Sequence, residues 1–124
     1  MELAELLRRL DPVLMNPSRL LIVALLYLFG PRKESEIVRA LGVSWGKFST
    51  HITTLEREGL VARKRVFTRK GYRTFVRLTR EGRERYRALL RALRELLGQV
   101  DERSEGEAAR LISSGRQATP PGDA

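Results

Sequence analysis

The stretch Val43-Ser-Trp-Gly-Lys-Phe-Ser-Thr-His-Ile-Thr-Thr-Leu-Glu-Arg-Glu-Gly-Leu-Val61 constrains this chain more than any other. Phe48, Ile52 and Leu55 fall at i, i+4 and i+7, one narrow stripe of a helix, and Gly59 ends the run. One face of the helix is therefore core. The opposite face carries Gly46, Thr50, Thr53, Thr54 and Arg57, with Lys47 at its edge, and no acid. A solvated helix favours long mixed charges, whereas a helix laid against base edges and phosphates needs short polar groups and cations. The pattern reads as a DNA-recognition helix. The three residues Gly42-Val43-Ser44 separate it from a preceding helix with Ile37, Val38 and Leu41, which is the tight turn of a helix-turn-helix.

Charge supports a polyanionic partner. Residues 63–97 hold thirteen basic and three acidic residues, whereas residues 1–62 hold eight and seven, and residues 98–124 hold three and five. The net charge of +9 is thus concentrated in one segment, and nucleic acid is the commonest partner for such a concentration. There is no cysteine and one histidine, so thiol catalysis, disulfides and thiolate metal sites are excluded, and no metal or cofactor is expected. No nucleophile with a base partner, glycine-rich phosphate loop or carboxylate cluster suggests an enzyme. The longest apolar run, residues 20–29, is too short for a bilayer, and the expected location is cytoplasmic.

Taken in order, Leu3, Leu6, Leu7 and Leu10 predict an amphipathic first helix over residues 2–10, extending towards Leu14. Asn16-Pro17 reads as a cap and first residue of a central helix that stops at Gly30-Pro31. Ser35 can cap the helix before the turn, and Ser44 the recognition helix. Beyond Gly59, Arg63-Lys64-Arg65-Val66-Phe67 and Tyr72-Arg73-Thr74-Phe75-Val76-Arg77-Leu78 flank a turn at Thr68-Arg69-Lys70-Gly71, predicting a β-hairpin with a cationic tip. Thr79 can cap a last helix in which Tyr86, Leu89, Leu90, Leu93, Leu96, Leu97 and Val100 recur at three- and four-residue steps. Residues 101–124 lose that rhythm and are expected to be a flexible tail.

Five segments carry a resemblance: Leu-Asp-Pro at residues 10–12, Asn-Pro-Ser-Arg-Leu at 16–20, Ala-Leu-Gly at 40–42, Phe-Ser-Thr-His-Ile-x-x-Leu-Glu-x-x-Gly-Leu-Val at 48–61, and Val-Arg-Leu-Thr-x-Glu-Gly-Arg at 76–83. With this element order the chain resembles MarR/ArsR-like winged helix-turn-helix transcriptional regulators, most closely the compact archaeal type. The resemblance implies a mainly α fold with a small β-hairpin wing (α+β), additional N- and C-terminal dimerisation helices, and an intracellular homodimer bound to double-stranded DNA. Residues 1–100 would form the DNA-binding domain, with residues 1–14 and 79–100 as dimerisation helices. Relatives often carry a polar residue where Trp45 stands, so Trp45 either packs on the protein or lies on the sugar-phosphate edge. Metal-sensing relatives use Cys and His clusters that this chain lacks.

The expected base readers are Lys47, Thr50, Thr53 and Thr54. The expected backbone contacts are Ser44, Gly46, His51, Arg57, Arg63, Lys64, Arg65, Arg69, Lys70 and Arg73, with His51 placed there by the resemblance. Ser49 is expected mainly to permit close helix packing. Leu3, Leu6, Leu7, Leu10, Tyr86, Leu89, Leu90, Leu93, Leu96 and Leu97 are the expected dimer interface, since the central helices and hairpin already supply a monomer core. No membrane partner is expected, and no residue marks a small-molecule effector. The rival reading is a winged-helix protein-interaction module of a transcription or other multiprotein complex.

Overall fold

The computed structural model describes residues 2–114. Helix α1 (Leu3–Arg9) is followed by α2 (Pro17–Phe29), strand β1 (Arg32–Lys33), α3 (Glu34–Leu41), α4 (Trp45–Arg57), β2 (Val61–Thr68), β3 (Gly71–Leu78) and α5 (Arg80–Ser114). The strands form one antiparallel sheet in the order β1-β3-β2. The fold class is as expected: mainly helical, with a small hairpin wing.

Local chemistry sets the boundaries. Asp11 Oδ1 accepts from the backbone N–H of Val13 at 3.0 Å and of Leu14 at 3.3 Å, and Pro12 disfavours helix before it. The first helix therefore ends at Arg9 rather than running to residue 14, and Leu14 is wholly buried in the core. Asn16 Oδ1 accepts from Arg19 N–H at 3.0 Å and opens α2 with Pro17 in its first position. Lys33, not Ser35, is the residue before α3, and the Glu36 carboxylate accepts its backbone N–H at 2.9 Å. The carboxylates of Glu34 and Glu36 suit a helix start, which leaves Ser35 inside the first turn. Gly42 takes a left-handed φ of 65° at the helix-turn-helix corner. Ser44 Oγ accepts from Lys47 N–H at 3.1 Å and caps α4. At the wing tip Arg69 and Lys70 keep negative φ, and the left-handed residue is Gly71, at 97°.

The core gathers Leu14, Ile22, Val23, Leu26, Ile37, Phe48, Ile52, Leu55, Leu60, Val61, Val76 and Leu78. It also takes in Tyr86 and Leu89 from α5. Thr79 joins the hairpin to α5: its Oγ1 donates to Gly59 O at 2.6 Å and accepts from Gly82 N–H at 3.0 Å. Gly82 sits against the chain at Leu60, where an added Cβ would lie 2.0 Å from the carbonyl oxygen. No other residue type fits that crossing.

Two expectations about the ends are corrected. Helix α5 does not stop at residue 100 but continues to Ser114, which removes residues 101–114 from the expected tail. Glu, Arg, Ala and Leu make up eight of its fourteen residues, with Arg103 and Glu107 at i, i+4 spacing, so propensity and charge spacing support helix without an apolar stripe. Residues 115–124 lie outside the described residues. Leu6, Tyr86 and Leu89, expected at a dimer interface, are buried by the chain itself, because α1 packs on α5 and Tyr86 and Leu89 of α5 belong to the core. Leu10, Leu90 and Leu93 are partly buried against the same core. Leu3, Leu7 and Leu97 remain exposed.

Candidate nucleic-acid interface

Helix α4 presents two faces, as its sequence requires. Phe48, Ile52 and Leu55 are buried, while Ser44, Trp45, Gly46, Lys47, Thr50, Thr53 and Arg57 are exposed and Thr54 is half-buried. Ser49 is exposed too, so its expected role in helix packing does not hold. Thr50 Oγ1 donates to Gly46 O at 3.2 Å, and Thr54 Oγ1 to Thr50 O at 3.1 Å. Both hydroxyl protons are thus turned back on the helix, and what the threonines offer outward is a methyl group and oxygen lone pairs. Such a surface suits a thymine methyl or an exocyclic amine of adenine or cytosine. Gly46 has nothing within 4 Å of where a Cβ would stand, so no contact inside the protein requires glycine there.

Trp45, in the first turn of α4, is 55% exposed and meets Phe48 edge-on at 5.8 Å. One ring edge is anchored on the core and the rest of the indole is available at the helix entrance.

His51 lies at the border between the two faces. Arg19, from the first turn of α2, brings Nη1 to 3.3 Å from His51 Nδ1, while its Nε donates to Val13 O at 2.7 Å. Partial burial, then the positive charges of Arg19 and Lys47, hold the imidazole pKa below its ordinary value. The neutral ring then carries its proton on Nε2, as a hydrogen-bond donor. Sequence alone does not link Arg19 to His51, 32 residues away.

The wing is the second cationic surface. Lys64, Arg65, Arg69 and Lys70 are exposed and Arg73 is half-buried, with Arg73 Nη1 donating to Tyr72 O at 2.8 Å. No acid occurs in residues 59–80. Arg63 differs from the rest. Its Nε and Nη2 donate to Glu56 Oε1 at 3.2 and 2.9 Å, and its Nη1 to Glu34 Oε2 at 3.2 Å. It therefore ties β2 to α3 and α4, a brace that sets the wing's position relative to α4. The sequence contained both acids, but only the folded chain brings them to one guanidinium.

Among the described residues no group of three or more His, Asp or Glu side chains is placed to hold a metal ion, and no helix is long and apolar enough to cross a membrane. Between α1 and the distal half of α5 runs an open groove lined by Leu3, Leu96, Val100, Arg103, Gly106 and Arg110.

A family model described as a winged helix DNA-binding domain matches residues 18–97. No curated protein gives a significant match. Among solved structures, a transcriptional regulator homologue from Pyrococcus horikoshii is 31% identical, with a TM-score of 0.74 over 78% of this chain and 98% of that one. A MarR-family putative transcriptional regulator from Enterococcus faecalis, 23% identical, shares the fold with a TM-score of 0.62, covering 90% of this chain and 96% of its own. AbfR bound to DNA, 20% identical, shares it with a TM-score of 0.63, covering 88% and 79%. The helix-turn-helix, the acid-free outer face of α4 and the matched span of residues 18–97 lead to one conclusion: the chain belongs to the winged-helix DNA-binding domain family, with the architecture of MarR-type transcriptional regulators.

Proposed function

We propose that this protein is a homodimeric transcriptional regulator that binds a pseudo-palindromic site in double-stranded DNA, with α4 in the major groove and the wing on the backbone or minor groove. What carries this reading is the acid-free outward face of α4, with Lys47, Thr50, Thr53, Thr54 and Arg57, together with the cations of the wing. In it, Lys47 and the three threonines read base edges, as side chains at the exposed face of a recognition helix do. Ser44, Gly46, His51, Arg57, Lys64, Arg65, Arg69, Lys70 and Arg73 position the backbone, with Arg19 behind His51.

The dimer rests on exposed apolar side chains where a monomer has no use for them. Leu3 and Leu7 on α1, and Leu97, Val100 and Ile112 on the part of α5 beyond its core-packed first half, are exposed. At about 1.5 Å per residue, α5 is roughly 50 Å long, enough to cross a partner's α5 and bury these groups about a two-fold axis. Two recognition helices so related address half-sites about one helical turn apart. Such a protein acts where DNA is, which accords with the expected cytoplasmic location.

Selection of bound fragments from a random-sequence duplex pool tests the proposal: a two-fold symmetric motif is the expected result. The rival protein-interaction module is favoured by Leu21, Leu28 and Phe29, exposed along α2. Recovery of no motif would point to it.

A further inference from the structure

Phe67 and Tyr72 face each other across β2 and β3, with ring centroids 5.2 Å apart and planes at 70°. Phe67 is 72% exposed and Tyr72 56%. A cross-strand aromatic pair supports its hairpin, which explains why the rings touch. It does not explain two large rings held in water at the far end of the wing.

Their position is informative. Side chains alternate along a strand, so Phe67 and Tyr72 share a hairpin face with Arg65, Arg63 and the buried Val61, Val76 and Leu78. On that face Arg63 reaches Glu56 of α4, so the rings stand on the α4 side of the wing, beyond the edge of the body. Arg65 Cζ lies 4.5 Å from the Tyr72 ring centroid, and Arg69 and Lys70 form the adjoining turn. An apolar tip enclosed by cations, in a segment free of acids, is complementary to a groove walled by phosphates and floored by stacked bases. Side chains of this kind enter minor grooves by gripping the phosphates and prying a base step apart.

We propose that Phe67 and Tyr72 form a wedge that enters the minor groove beside the α4 contact, partly unstacks one base step, and so adds a preference for deformable pyrimidine–purine steps. The inference rests on the duplex-binding reading above. Unstacking is easiest at TA and CA/TG steps, so the wedge contributes sequence preference without hydrogen-bonding any base.

Parallel duplex selections with the full-length wild type, Phe67→Thr/Tyr72→Thr and Tyr72→Phe test it. Threonine is a good strand former and keeps the hairpin's backbone preference. The wild type is expected to recover a motif flanked at fixed distance by a pyrimidine–purine step. The double variant should recover the motif without the step and bind the wild-type winner about tenfold more weakly, the scale of one lost base-pair preference. Tyr72→Phe should keep both. Thermal melting is recorded for each variant, and if the double variant melts below the selection temperature, Phe67→Thr alone is read in its place. If wild type and the threonine variant recover the same flanking step, the wedge is overturned and the rings are left for a protein partner. If the wild type recovers no motif, the duplex-binding reading itself fails, an outcome distinct from loss of the step alone.

Discussion

The Arg19 guanidinium, 3.3 Å from His51 Nδ1, can only donate there, so the imidazole is held as an acceptor on that nitrogen. Protonating His51 would turn a hydrogen bond into a contact between two cations. Burial, Arg19 and Lys47 all disfavour the imidazolium, and its pKa falls below the ordinary 6.5. Since the unfolded chain binds that proton more readily, stability is full above pH 6.5 and declines as pH falls through the folded value. An NMR titration should place the His51 midpoint below 6.5, and Arg19→Ala should move it upward. A midpoint at or above 6.5 in the wild type would remove Arg19 from this role.

Asp11 titrates by a balance. Burial opposes its charge, but the hydrogen bonds and charge of Arg85, at 2.8 and 3.0 Å, and the N–H groups of Leu14 and Val13 outweigh it and hold the pKa below its ordinary value. Its stabilisation is present above about pH 4 and is lost as pH falls through the depressed folded value. Asp11→Asn should lower the melting temperature at pH 7 and shrink the gap from wild type in strong acid. A constant gap would contradict this account.

Two glycines should respond in opposite directions. Gly82→Ala puts a methyl 2.0 Å from the Leu60 carbonyl oxygen and forces α5 off the hairpin, at about 1–3 kcal/mol as for other overpacked sites. Gly46→Ala meets nothing and should stabilise α4, by up to roughly 1 kcal/mol. If the backbone at Gly46 approaches DNA, the same variant weakens duplex binding while melting higher. Unchanged affinity would show that Gly46 has no part in the interface.

Much of this was legible in the chain itself. The spacing of Phe48, Ile52 and Leu55 was enough to name the buried face of α4, and Asn16, Ser44 and Thr79 were readable as caps from residue type and the elements they precede. Most of the rest depends on distant partners. Periodicity marks Leu6, Tyr86 and Leu89 as an apolar face but says nothing of what covers it, and here the monomer does. Arg63 reads as one wing cation among several until folding places Glu34 and Glu56 beside it. The continuation of α5 past residue 100 rests on helix propensity, which is silent in a search for apolar rhythm.

That distinction among the wing arginines is itself testable. Arg69→Ala with Arg73→Ala should flatten the dependence of log affinity on log salt by up to about two units, near 0.9 for each lost phosphate contact. Arg63→Ala should leave the slope unchanged and lower the melting temperature, because it loosens the brace between β2, α3 and α4. The reverse pattern would exchange their roles.

The central claim is that α4 and the wing together form a surface for double-stranded DNA, with sequence choice on the helix. The most direct test is a polarisation titration of a labelled duplex carrying the selected motif, competed in turn by random duplex and by heparin, for wild type and Thr50→Ala. The account predicts that the wild type prefers the motif duplex over both competitors, and that Thr50→Ala loses about tenfold or more on the motif alone, in line with roughly 1–3 kcal/mol for a base contact. No preference for any duplex over heparin, even in dilute buffer, would contradict it.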